Sequence, residues 1–134
     1  MRLREDELNR FGEDLGGVLR PPAIIGISGD LGTGKTTLVQ AICRGIGAEV
    51  PATSPTYALV HRYESPIGPV FHVDCYRIKT SQEARDLGLD DILLSKAILL
   101  VEWPENAGHM MPPLERYFHL SHDSDAAYRV LEER

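Results

Sequence analysis

One glycine-rich segment constrains the fold of this chain more than any other feature. Residues 29–36 read GDLGTGKT and match the pattern G-x-x-x-x-G-K-[ST] in full. The segment follows a short apolar run at residues 23–28, which reads as a buried strand, and leads into residues 36–46, whose apolar side chains recur at helical spacing. A strand, a glycine-rich loop and a helix in this order are typical of a phosphate-binding loop. The sequence therefore predicts an α/β fold of the P-loop NTPase class.

The residue types in the loop suit the binding of a nucleotide and its metal ion. Glycines let backbone N–H groups curl around phosphate oxygens, and the N-terminus of the following helix adds partial positive charge. A lysine can reach the β- and γ-phosphates, a first threonine can offer its hydroxyl to Mg²⁺, and a second threonine can lie near the α-phosphate. The predicted nucleotide-binding residues of the loop are Asp30, Leu31, Gly32, Thr33, Gly34, Lys35, Thr36 and Thr37, with Thr36 also a metal ligand.

Two carboxylates come directly after apolar runs that read as buried strands. Asp74 follows residues 70–73, and Glu102 follows residues 97–101. Ligands of open α/β sheets bind beyond the carboxyl ends of strands, where both side chains would lie. Asp74 and Glu102 are therefore candidate catalytic residues together with Lys35, and candidate metal ligands. A glutamate stands where this fold usually has an aspartate, so Glu102 can hold Mg²⁺ through a water molecule or orient the attacking water. Each carboxylate can also be an ordinary surface residue at the start of a loop.

A further candidate lies in the segment 54–57, which reads SPTY. In GTPases a threonine in a comparable mobile loop senses the γ-phosphate and its Mg²⁺. Thr56 is on these grounds a candidate nucleotide-binding residue. A proline turn that leads into a strand also explains the segment.

The remaining segments alternate between helix and strand patterns, which predicts a mixed, mainly parallel sheet flanked by helices. Residues 5–19 have helical spacing interrupted by glycines, and residues 80–83 resemble a capping box that opens a short helix. Strand patterns occur at residues 57–63, 70–75, 97–102, 117–121 and 127–132, with hairpins predicted over 57–75 and around 123–125. A length of 134 residues favours a single domain spanning residues 1–134.

Composition excludes several classes of function. The chain has 14 Lys and Arg residues and 20 Asp and Glu residues, which gives a net charge of -6. This charge argues against a protein that binds tRNA or any other nucleic acid by itself. The net charge does not exclude a function in a nucleic-acid pathway in which a partner protein binds the nucleic acid. The apolar runs are too short to span a membrane and the charged N-terminal residues do not resemble a signal peptide, so we expect no membrane association and a cytoplasmic location. Cys43 and Cys75 are interpreted as buried free thiols.

Four segments, in this order and spacing, resemble the bacterial TsaE (YjeE) family, the ATPases of tRNA threonylcarbamoyladenosine biosynthesis. They are GDLGTGKTT at 29–37, SPTY at 54–57, HVDCYR at 72–77 and VEWPE at 101–105. The phosphate loop is shared by many families, whereas the other three segments in combination are far more specific. The resemblance covers nearly the whole chain, which is then a single P-loop ATPase domain.

The resemblance implies a small ATPase, with ATP and Mg²⁺ as cofactors, that works with TsaB-like and TsaD-like partners. In such a system the TsaD-like partner transfers the threonylcarbamoyl group to N6 of an adenosine beside the tRNA anticodon. ATP binding and hydrolysis reset or regulate the partner complex, and tRNA is contacted only through the partners. By position, Thr36 and Glu102 match the magnesium site of the family, with Asp74 as a further carboxylate. Lys35 matches its ATP site and Thr56 its loop threonine.

Two other functions stay open on the sequence alone. A small-molecule kinase of the P-loop class needs an acceptor pocket and an arginine-bearing lid, and no compact lid segment stands out after Glu102. A nucleotide-dependent interaction module that does not hydrolyse its ligand is disfavoured by an intact Lys35, Thr36 and Glu102. No arginine finger is evident in the chain, so we expect slow hydrolysis that depends on a partner. We also expect Trp103 half-buried beside the site, and the segment around Glu5 is a candidate border of the base.

Overall fold

A β-sheet organises the chain in the computed structural model, which describes residues 1–49 and 59–134. Within these residues the strands are β1 (Arg2–Arg4), β2 (Ala23–Gly29), β3 (Val60–Tyr63), β4 (Val70–Asp74), β5 (Ile98–Glu102), β6 (Arg116–His122) and β7 (Tyr128–Glu133). These seven strands form one sheet in the order β1-β7-β6-β2-β5-β4-β3.

The directions of the strands determine which edge of the sheet carries the phosphate loop. The central strands β6, β2, β5 and β4 run parallel, so their carboxyl ends meet at one edge. On one side β7 pairs antiparallel with β6 and β1 pairs antiparallel with β7, and on the other side β3 pairs antiparallel with β4. The predicted mixed α/β sheet flanked by helices is confirmed, and its parallel part is the part that carries the predicted loop and both carboxylates.

Helices cover both faces of the sheet. On one face α1 (Glu5–Val18) and α2 (Lys35–Ile46) pack together against alternate strand residues. These strand residues are Ile25, Ile27, Ile98 and Leu100. On the other face two short helices and a 3₁₀ helix pack against the intervening residues, such as Leu99 and Val101. This alternation follows from the two-residue period of a strand. The helices of the second face are α3 (Ser81–Asp86), α4 (Leu89–Leu94) and the 3₁₀ helix Pro104–Met110.

Most local predictions are confirmed, and the differences have physical reasons. α2 ends where Gly47 takes a left-handed conformation, and Thr80 caps α3 by accepting a hydrogen bond from the N–H of Glu83. Both predicted hairpins are present as β3–β4 and β6–β7, although residues 57 and 58 of the first lie outside the described residues. The sequence does not predict β1, because three residues form a strand only through pairing with β7. In the described part of the chain, no helix is long and apolar enough to cross a membrane.

Candidate functional site

The phosphate loop joins β2 to α2 with a backbone geometry that requires glycine at its start. Gly29 has a φ of 140°, a region that residues with a side chain rarely adopt. A Cβ built on Gly29 would lie 2.1 Å from the carbonyl oxygen of Leu120 in the neighbouring strand β6. Both constraints fix glycine at the point where the chain leaves the sheet, and α2 then begins at Lys35.

The ammonium group of Lys35 lies folded against its own loop. Its Nζ donates to the carbonyl oxygen of Gly29 at 2.7 Å and to that of Asp30 at 2.8 Å, and the residue is 7% exposed. Burial lowers the pKa of Lys35, while the nearby carboxylates Glu102, Asp74 and Asp30 act in the opposite direction. A buried cation held by carbonyls and facing carboxylates can exchange these partners for the oxygens of a phosphate group.

The two candidate carboxylates lie side by side beyond the strand ends. Asp74 and Glu102 both end a strand, as the sequence predicts, and the structure makes them register partners in the parallel pair β4–β5. Glu102 is 4% exposed and its Oε2 accepts a 2.6 Å hydrogen bond from Nε2 of His72. Asp74 is half-buried and accepts a hydrogen bond from the backbone N–H of Tyr76 at 3.0 Å. The buried pair His72–Glu102 fixes one carboxylate, and Asp74 is the more accessible of the two.

The Trp103 ring lies beside Lys35, and the Tyr76 ring lies next to that of Trp103. Trp103 follows Glu102 in a left-handed conformation with φ 57°, which is rare for a residue with a large side chain. Its N–H donates to the carbonyl of Ile27 at 2.9 Å, and this bond fixes its backbone to the strand that precedes the loop. The Trp103 ring lies 5.2 Å from Nζ of Lys35 and 5.4 Å from the Tyr76 ring. Trp103 is half-buried, as the sequence predicts.

These elements surround one cavity of about 390 Å³, a size suited to a small-molecule ligand. Its walls bring together Leu31, Gly32, Gly34, Lys35, Thr36, Thr37, Asp74 and Glu102 from the predicted set, with Glu5, Tyr76, Trp103 and Arg129. Asp30 and Thr33 are not in its walls. Thr33 is buried and its hydroxyl donates to the carbonyl of Asp30 at 2.7 Å, a bond that stiffens the loop from within. Thr56 lies outside the described residues.

The oxygen groups in the cavity fit the chemistry of Mg²⁺. This ion prefers one or two carboxylates, with substrate phosphates and water completing its shell. Thr36 offers a hydroxyl and Asp74 and Glu102 offer carboxylates to the same cavity. Across residues 1–49 and 59–134, no three His, Cys, Asp or Glu side chains converge into a metal centre. The arrangement therefore suits an ion that is bound together with a phosphate ligand.

Two residues of the cavity wall were not assigned from the sequence. Tyr76 belongs to the HVDCYR segment, so the sequence motif includes this residue but does not indicate what it does. Arg129 lies near the start of β7, in register with His122 of β6 and Leu3 of β1, and no motif marks it. The prediction that the chain contains no arginine finger stays a prediction. Arg129 lines the cavity, although on the opposite side of the loop from both carboxylates.

Comparison with known proteins agrees with the resemblance seen in the sequence. A family model described as threonylcarbamoyl adenosine biosynthesis protein TsaE matches residues 3–131. The tRNA threonylcarbamoyladenosine biosynthesis protein TsaE of Rickettsia bellii is 35% identical over 109 residues, which cover 81% of this chain and 75% of that protein. The TsaE protein of Haemophilus influenzae is 31% identical over 127 residues, covering 91% and 80%. The crystal structure of Bacillus subtilis YdiB has a TM-score of 0.77 at 22% identity, covers 99% of this chain and 84% of that one, and supports the fold alone.

Proposed function

The chain belongs to the TsaE family of tRNA threonylcarbamoyladenosine biosynthesis proteins, and from this premise we propose that it is an accessory ATPase of that modification. It binds ATP with Mg²⁺ and hydrolyses it slowly. The observation that carries the proposal is one cavity in which Lys35 and Thr36 of a phosphate loop face Asp74 and Glu102 at the ends of neighbouring strands.

Four side chains of the cavity have a defined part in the proposed reaction, those of Lys35, Thr36, Asp74 and Glu102. Lys35 exchanges its two carbonyl partners for oxygens of the β- and γ-phosphates, and the loop N–H groups hold the remaining oxygens. Thr36 and a strand-end carboxylate hold Mg²⁺, which when bound neutralises charge on the phosphates. Glu102 or Asp74 orients a water molecule for in-line attack on the γ-phosphate. The hydrogen bond from His72 keeps the Glu102 carboxylate in a fixed orientation for either role.

The partners follow from the family and from the charge of the chain. A net charge of -6 disfavours direct contact with tRNA, so the acidic surface of this chain meets proteins, namely a TsaB-like and a TsaD-like partner. The partner complex transfers the threonylcarbamoyl group, and ATP turnover on this chain resets or regulates that complex. A function in tRNA modification brings with it a cytoplasmic location.

The first test is phosphate release from Mg-ATP by the purified chain and two variants. Lys35→Ala should reduce turnover to background, because it removes the cation that faces the phosphates. Lys79→Ala is the matched control, since Lys79 is an exposed lysine outside the cavity. Glu102→Ala should reduce hydrolysis more than it reduces nucleotide binding. Equal losses of both would make Glu102 mainly a binding ligand, and unchanged turnover in Lys35→Ala would refute the site.

The second test reconstitutes tRNA modification with the two partners, with and without this chain and ATP. The modified nucleoside is counted over several turnovers, and we expect multiple turnovers to need both the chain and hydrolysable ATP. Modification that is indifferent to the chain would refute the proposed place in the pathway. Transfer of the γ-phosphate to an added acceptor, in place of free phosphate, would instead favour a small-molecule kinase.

A further inference from the structure

Asn106 joins the two chain segments that leave β5 and β4 beside the cavity. It lies in the 3₁₀ helix that follows β5, and its backbone N–H donates to the carbonyl of Trp103 at 3.0 Å. Its side-chain Nδ2 donates to the carbonyl of Cys75 at 3.0 Å and to that of Tyr76 at 3.2 Å, in the turn after β4. Asn106 is half-buried but is not in the cavity wall. Its side chain can therefore affect the site only through the residues that it holds.

The hydrogen bonds of Asn106 complete a turn that backbone hydrogen bonds hold in part. The N–H of Ile78 donates to the carbonyl of Cys75 at 3.0 Å and closes the turn. That carbonyl also accepts from Asn106, as an oxygen with two lone pairs can. The next carbonyl along the chain, that of Tyr76, accepts from Asn106 as well. Asn106 thus fixes the orientation of two successive peptide groups in the turn.

The peptide group between Cys75 and Tyr76 links Asn106 to Asp74. A peptide group is planar and rigid, so its C=O and its N–H keep opposite directions. In this group the carbonyl oxygen accepts from Asn106, and the N–H donates to Oδ1 of Asp74 at 3.0 Å. The amide that holds one side of the peptide group therefore fixes the direction of the donor on the other side. Without the amide, the peptide group can tilt more freely and move its N–H away from Asp74.

The orientation of Asp74 matters because its side chain lines the cavity together with the phosphate loop. A group that acts in a reaction must be held in the right geometry, and a displacement of about 1 Å can lower a rate about a hundredfold. Asp74 is half-buried, and a hydrogen bond gives its carboxylate a direction that partial burial does not. Resting on the proposed function, we propose that Asn106 is a positioning residue, which orients the Asp74 carboxylate through the peptide group between Cys75 and Tyr76.

The first test measures the link between Asn106 and Tyr76 in the chain without nucleotide. NMR spectroscopy gives the rate at which each backbone amide exchanges its proton with solvent, which reports local opening. Asn106→Ala should speed exchange of the Tyr76 amide about twofold to tenfold, the range for weakening one hydrogen bond. The Cys75 amide, which donates to the carbonyl of Glu102 at 3.0 Å, is the internal control and should change less than about twofold. Unchanged exchange at Tyr76, or equally faster exchange at Cys75, would overturn the proposal.

The second test measures ATP hydrolysis at saturating Mg²⁺. Asn106→Ala should lower kcat about tenfold and change KM for ATP less than about twofold, because the phosphate loop is untouched. Gln82→Ala, which removes an exposed amide of α3 outside the cavity, should leave both constants unchanged. Asn106→Ser, whose hydroxyl can still donate one hydrogen bond, should lose less, and it replaces the alanine variant if circular dichroism shows that the alanine variant does not fold. A loss confined to KM, or no loss in kcat, would overturn the assignment of Asn106. A wild-type chain that does not hydrolyse ATP would instead refute the proposed function itself, and with it this inference.

Discussion

The contact between α1 and α2 makes opposite predictions for two adjacent glycines. Gly16 is buried against α2, and a Cβ built there would lie 2.1 Å from the carbonyl oxygen of Ile42 and 2.9 Å from the backbone N of Ile46. Gly17, the next residue, has nothing within 4 Å of its Cβ position. An alanine Cβ at Gly16 would therefore overlap backbone atoms of α2, whereas an alanine Cβ at Gly17 would lie in open space.

The magnitudes follow from two opposing effects. Alanine is more favourable than glycine inside a helix by about 0.5–1 kcal/mol. Overpacking a buried contact is unfavourable by about 1–3 kcal/mol, and the obstacle at Gly16 is backbone, so the upper half of that range applies. Gly16→Ala should thus lower the free energy of unfolding by about 1–2 kcal/mol. Gly17→Ala lies near the helix end and should raise it by about 0.5 kcal/mol.

Urea unfolding followed by circular dichroism measures both changes on the same protein preparation. The midpoint should shift to lower urea for Gly16→Ala and slightly higher urea for Gly17→Ala, with the slope unchanged if only the native state is affected. A Gly16→Ala variant as stable as Gly17→Ala would show that the two helices are not in backbone contact. Close helix packing would then no longer explain why glycine occurs inside α1.

The remaining predictions concern the buried polar groups. His72→Phe removes the hydrogen bond to Glu102 and leaves a buried carboxylate without its described partner. We expect a loss of about 1–3 kcal/mol in the free energy of unfolding, measured in urea, and full wild-type stability would mean that the pair is not formed. Burial raises the pKa of Cys43 and of Cys75 to about 12 each, so a thiol reagent at pH 8 should label neither until the chain is unfolded. The pKa of each thiol is higher in the folded chain than in the unfolded chain. The two buried thiols therefore contribute to the stability of the folded state below about pH 9, and this contribution is lost as the pH rises from about 9 to about 12. Rapid labelling of the native chain would contradict the burial of the two thiols.

The parts of the site that could be predicted are those encoded by neighbouring residues. The loop 29–36 carries its own pattern, and the apolar runs before Asp74 and Glu102 identify them as strand ends. Parallel strands bring such ends to one edge, so local patterns were sufficient to place both carboxylates near Lys35. The pair His72–Glu102 needed the register of two strands as well, which sequence spacing alone does not give.

The glycines of α1 show why a local pattern can mislead. In the sequence, glycine weakens the prediction of a helix, because it lowers helix propensity. In the structure α1 runs through Gly12, Gly16 and Gly17, and the first two are buried against α2. Close packing of two helices, a tertiary effect, overrides the intrinsic preference of the residue.

The two sides of the phosphate loop differ in how far the sequence can describe them. On the side of β5 and β4, a carboxylate acts through its position at a strand end, and that position can be inferred from the residues just before it. On the side of β7 and β1, Arg129 lines the cavity because the β6–β7 hairpin continues the sheet beyond β2. The hairpin is local, but its pairing with β2 and the pairing of β1 with β7 join distant parts of the chain. Contiguous motifs were therefore enough to place the loop and both carboxylates, whereas the place of Arg129 in the cavity wall depends on long-range pairing.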